Sequence, residues 1–248
     1  PRSGLLTSPD DLFGRPPDPG DPPRLLAREA GFAIKLIAAG SEDIVPPGQG
    51  QVLIVLRGGV LVCEHAGDGK VVQTTRRSSS TPLQRGGLFR VANDARWSLV
   101  DAEPGTLVLA LSTSVPREER RCEDLLELAR RRPHMSPRLL FENETVRLEF
   151  SASRGHLPFR GWVPWSHTGD TVEYAIILSG TFRGRLAGGD PFDLPEGSML
   201  RIPPGTRHNF RSRSRGLCVG LIVTGRVRRS EDAIDHREVK GRFTPFAR

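Results

Sequence analysis

The chain has 248 residues, 37% hydrophobic and 26% charged, with a formal net charge of +7, the balance of a globular protein on the polar side. No apolar run approaches the ~20 residues of a membrane-spanning helix, and the opening Pro1-Arg2-Ser3-Gly4 gives no expectation of a secretory leader. Three widely spaced cysteines, Cys63, Cys122 and Cys218, argue against a disulfide framework and fit a reducing, cytoplasmic setting.

Residues 1–22 are rich in proline, glycine and aspartate and read as a flexible arm laid over a neighbouring domain or a second subunit. Over residues 23–115 short apolar runs recur between Gly, Pro, Asn and Asp: Phe32–Ala38, Val52–Leu56, Val60–Cys63, Leu88–Ala92 and Leu107–Leu111. Strands of that length and spacing predict an all-β sandwich or barrel. Residues 116–135 differ. Leu125, Leu126 and Leu128 among Glu, Arg and Ala predict a helix over Arg117–Arg132, closed by Pro133, as a helical linker. The β pattern resumes over 136–226, where Val146, Leu148 and Phe150 alternate with Arg147 and Glu149. Residues 227–248 form a charged tail. A segment from Ala152 to Trp165 gathers Phe159, Trp162 and Trp165, either as core filler or as the wall of a pocket.

The two β regions repeat each other. Pro23-Arg-Leu-Leu26 recurs as Pro137-Arg-Leu-Leu140, Gln51–Gly58 as Glu173–Gly180, Leu83–Val91 as Leu194–Ile202, and Gly105–Ser114 as Gly216–Gly225. A repeat of this length means a duplicated domain. The second copy carries a candidate ligand set. His167 and Glu173 are an even number of residues apart, which puts them on one face of an extended segment. Gly180 permits the turn that follows. Pro203-Pro204-Gly205 then turns the chain before His208. Two imidazoles and a carboxylate inside a small barrel suit a divalent metal with open positions.

These residues resemble the cupin superfamily. Its first motif runs histidine-x-histidine, then glutamate, then glycine; its second runs from a glycine through proline-x-glycine to a histidine. Gly197, Pro203, Gly205 and His208 match the second, and His167, Glu173 and Gly180 the first, with Gly169 at the second histidine. The resemblance implies two double-stranded β-helix (jelly-roll) barrels, a bicupin, with metal ligands His167, Glu173 and His208, a set of three instead of four. His156 lies nearby without motif support. Fe(II) is the favoured ion, with Zn, Mn or Ni as alternatives. In the first copy Gln51 stands for Glu173, Trp97 for His208, Val45 for His167 and Asp94 for Gly205, so that barrel is expected to be plugged and metal-free.

The implied activity is that of a dioxygenase or oxidase on a small organic molecule. Lewis-acid isomerase, epimerase or decarboxylase chemistry and a non-catalytic binding barrel are the alternatives. Glu149, Tyr174 and Arg201, with Arg147 beside them, are the candidates for handling substrate or protons. A homodimer is compatible with the fold. A nucleic-acid partner is disfavoured, because the positive charge is almost all arginine, scattered along the chain without interleaved aromatics.

Overall fold

The computed structural model describes residues 6–7, 17–18, 21–38, 50–65, 80–93, 95–115, 122–154, 166–167 and 170–225. These form strands β1 to β19, numbered in chain order, and a helix α1. In the first copy, β10 (Cys122–Asp124), β7 (Gly87–Val91), β4 (Gly50–Arg57), β9 (Leu107–Thr113), β3 (Phe32–Ala38) and β2 (Arg24–Glu29) lie in that order in one sheet. A second sheet has the order β6 (Ser80–Gln84), β5 (Gly59–His65), β8 (Arg96–Val100). In the second copy, β1 (Leu6–Thr7), β17 (Met199–Ile202), β14 (Glu173–Ser179), β19 (Leu217–Gly225), β12 (Val146–Arg154) and β11 (His134–Glu142) form the large sheet. The smaller one runs β13 (Ser166–His167), β18 (Arg207–Ser212), β15 (Thr181–Leu186), β16 (Phe192–Pro195). The large sheets correspond strand for strand, so the chain is an all-β pair of jelly-roll barrels.

The correspondence extends to the edges. β1, from ahead of the first copy, pairs with β17 of the second, and β10, from ahead of the second copy, pairs with β7 of the first. Each barrel's edge is thus covered by the segment that leads into the other, which removes an open row of backbone donors and acceptors. Part of the expected N-terminal arm is therefore a strand.

In the central strands of each large sheet both faces are buried, and residue parity divides them. From β4, Leu53 and Val55 point into the first barrel beside Val62, Trp97 and Leu99. From β14, Ala175 and Ile177 point into the second beside Phe182, Leu194 and Ile202. The alternate residues, including Val52, Ile54, Tyr174 and Ile176, meet in a third core between the two large sheets, with Phe32, Leu148, Phe150 and Leu221. Each aliphatic or aromatic side chain fully buried there contributes about 1.5–3 kcal/mol, which couples the two barrels.

Two sequence readings are corrected. The helix is α1 (Leu125–Arg131), shorter than Arg117–Arg132: Cys122–Asp124 is strand β10, and residues 116–121 lie outside the described part. Backbone pairing with β7 prevails over helical composition, and Asp124 caps α1 by accepting the Glu127 amide at 2.8 Å. The last repeat block is displaced by one residue. Gln51 faces Ser112 across the ladder whereas Glu173 faces Thr224, so Ser112 and Thr224 are equivalent. Gly180 behaves as expected: its φ is +75°, and a Cβ would meet the Cys218 sulfur and the Leu217 carbonyl at 2.8 Å.

Candidate metal centre

Glu173 opens β14 on its barrel-facing side, and His208 is the second residue of β18, after the turn in which Gly205 takes a φ of +75°. The two strands belong to opposite sheets of the second barrel, and the side chains meet inside it. His208 Nε2 lies 3.1 Å from Glu173 Oε2, with side-chain exposures of 5% and 16%. His208 Nδ1 lies 3.2 Å from the Thr206 carbonyl oxygen. A carbonyl only accepts, so Nδ1 carries a proton and Nε2 is the ring nitrogen turned to the carboxylate. A ring nitrogen and a carboxylate oxygen at that distance share either a proton or a cation.

The ladder registers extend the site across the large sheet. Arg147, Thr224, Glu173 and Ile202 share one cross-strand row; Glu149, Ile222, Ala175 and Leu200 share the next. Directly opposed residues lie on one face, so Glu149 is on the face of Glu173. Arg147 donates to it from Nη2 at 2.7 Å.

Tyr174 and Arg201 do not join this set, and that part of the sequence expectation is corrected. They pair with each other on adjacent strands one position away from Glu173, hence on the opposite face. Tyr174 is 2% exposed and packs edge-on against Phe32, ring centroids 6.3 Å apart. Its hydroxyl donates to Glu29 of the first copy and accepts from Arg201 Nε at 3.3 Å. Burial, and then the Glu29 carboxylate, push the phenol up to about 12. A cleft of about 530 Å³ lies on that side, lined by Glu29, Phe32, Asp170, Val172 and Arg201 among others, and by neither Glu173 nor His208. The sequence held no sign that Glu29 would reach Tyr174, since the contact joins the two copies.

For His167 only the backbone is described. β13 pairs Ser166 with His208 and His167 with Arg207, so the ladder sets His167 one position away from the His208 row. Among the described residues no group of three His, Cys, Asp or Glu side chains converges; Glu173 and His208 are the pair brought together. Gly169, His156, Phe159, Trp162 and Trp165 lie outside the described residues.

In the first barrel Trp97, 1% exposed, lies in the interior core. Gln51 and Ser112 are buried on the same face, with Gln51 Oε1 and Ser112 Oγ lacking a hydrogen-bond partner among the described residues. Val45 and Asp94 lie outside them.

Residues 158–224 match the family model described as Cupin domain. The chain is similar in structure to a cupin 2 conserved barrel domain protein from Leptotrichia buccalis, with a TM-score of 0.61 and 10% identity over 82% of this chain and 88% of that one. It is similar also to the protein Ylba from E. coli, TM-score 0.56 and 12% identity over 82% and 81%. A third is the vicilin from Solanum melongena, TM-score 0.51 and 13% identity over 79% and 74%. No curated protein sequence matches this chain. Fold and motif agree: the match to the cupin-domain model falls in the second barrel, and the chain as a whole shares its fold with cupin barrel proteins. It carries two barrels, and no helix among the described residues is long and apolar enough to cross a membrane.

Proposed function

We propose that the second barrel holds a divalent metal ion, Fe(II) favoured, through Glu173 and His208, and acts on a small organic molecule as a dioxygenase or oxidase. The observation that carries this reading is the buried pair itself: an imidazole whose proton is held at Nδ1 presents Nε2 to a carboxylate, the donor set a divalent cation takes. A metal bound there would supply a Lewis-acid centre with open positions for substrate and O2. The protein's own groups do the rest. Ala175, Ile177, Leu200, Ile202 and Phe210 line the interior with apolar surface and exclude water. Glu149, oriented by Arg147, is the carboxylate available to accept or return a substrate proton.

The experiment is O2 uptake by Fe(II)-loaded protein across a panel of small organic acids and phenols, beside the same mixtures held anaerobic. Substrate-dependent uptake supports an oxygenase; product formed without O2 moves the assignment to Lewis-acid isomerisation or decarboxylation. A second reading rests on the same contact. With a proton instead of a metal between Nε2 and Oε2, 3.1 Å is an ordinary charge-assisted hydrogen bond, and the barrel is a non-catalytic binding cup. The place of His167 opposite Arg207 favours that reading.

A further inference from the structure

Folding gathers arginines that look scattered in the sequence. In the four-stranded sheet of the second copy, Phe182, Leu186 and Phe210 point into the barrel, so their neighbours Arg183, Arg185, Arg207 and Arg211 lie on the outer face. Arg183 is directly opposite Arg211, and Arg185 opposite Asn209. Arg213 and Arg215 follow in the turn after β18. Arg185, Arg207, Arg213 and Arg215 are exposed, while Asn209 in the middle is buried. Asp193 is the one acid in these four strands, and it takes Arg183 at 2.9 Å and Arg213.

The first copy is an internal control. Its equivalent strands present Leu61, Cys63, Arg96, Ser98 and Val100 where the second presents Arg183, Arg185, Arg207, Asn209 and Arg211. The same scaffold therefore does without this charge. Like charges directly opposed across a ladder are destabilising; Asp193 offsets this at Arg183, and the first copy has Leu61 facing Val100 at the equivalent place.

We propose that this outer face binds nucleic acid through its phosphates. The charge is all arginine, whose planar fork matches phosphate oxygens. Along a strand, residues two apart repeat at about 6.8 Å, presenting a regular array to a polymer charged at every unit. Among the described residues the face presents no aromatic or aliphatic anchor of the kind that forms the centre of a protein–protein interface, which disfavours an acidic protein partner. With arginine forks on phosphates as its contacts, binding is independent of base sequence.

The test is fluorescence anisotropy of a mixed-sequence DNA duplex with the full chain between 50 and 200 mM salt. Four phosphate contacts predict a loss of affinity on the order of 100-fold across that range. Removing two charges with Arg185→Gln/Arg207→Gln should weaken binding and reduce the loss to about tenfold. Arg28→Gln/Arg57→Gln, the same charge change on the first copy, should leave both unchanged. Arg185→Ala/Arg207→Ala repeats the comparison should the glutamine variant not fold. Absence of duplex binding at 50 mM salt, equal effects of the two pairs, or displacement of the duplex by polyglutamate at matched charge overturns the proposal.

Discussion

Trp97 and His208 occupy the same station in the two barrels, one residue before Ser98 and Asn209, which face Cys63 and Arg185 on the equivalent strands. The indole fills its barrel and the imidazole meets Glu173. With Gln51 in place of Glu173, the first barrel has a packed interior where the second has a buried histidine–glutamate pair. The first barrel serves the second by packing, since their large sheets share one core.

Trp97→Ala is expected to cost about 3–5 kcal/mol, the range for deleting a buried aromatic and leaving a cavity. His208→Ala, which removes a buried hydrogen-bonded group, is expected to cost about 1–3 kcal/mol in metal-free protein. Denaturant midpoints and slopes of the two variants check the order.

Tyr174 is the chain's one tyrosine, so ultraviolet titration reads it alone. Half-ionisation is expected at about 12 and not at 10. Below pH 10 the folded and unfolded states both hold the proton. Between about 10 and 12 only the folded state does, so stability falls as pH rises across that window. Cys63 and Cys122, also raised by burial, contribute in the alkaline range as well. The difference between the wild type and Tyr174→Phe isolates the phenol, and a flat difference from pH 9 to 12 would contradict the account.

Arg90 and Arg201 sit at equivalent positions in β7 and β17 but in unlike surroundings. Arg90 is 3% exposed, donates to the Leu140 carbonyl and lies 3.8 Å from Glu123. The Arg201 side chain is 39% exposed, 3.5 Å from Glu29. Arg90→Ala is expected to cost about 3 kcal/mol, because it leaves buried partners uncompensated, and Arg201→Ala about 1 kcal/mol or less. Equal losses on urea denaturation would count against this division.

Glu149→Gln is expected to leave metal content unchanged while lowering turnover about 10²–10⁴-fold if its carboxylate moves the substrate proton. Loss of metal in this variant would place Glu149 among the ligands instead.

The two-barrel architecture was legible because the repeats preserve the Gln51–Gly58 and Glu173–Gly180 strands together with their glycine turns. The meeting of Glu173 with His208 was legible too, from the motif after Pro203. What the sequence could not decide was facing. Ala175, Ile176 and Ile177 are all buried, so β14 shows no polar side by which parity could be read, and Tyr174 looked like a neighbour of Glu173 when it faces away. The Glu29–Tyr174–Arg201 cluster was invisible because its members come from different copies. The arginine face was hidden because alternate positions on separate strands converge only once the ladder forms.

The most direct test of the account is metal content, measured on purified wild-type protein and on His208→Ala after equilibration with Fe(II) and desalting. The account predicts about one ion per chain in the wild type and substoichiometric metal in the variant, with Trp97→Ala resembling the wild type. Equal metal in wild type and His208→Ala, or none in either, would contradict it.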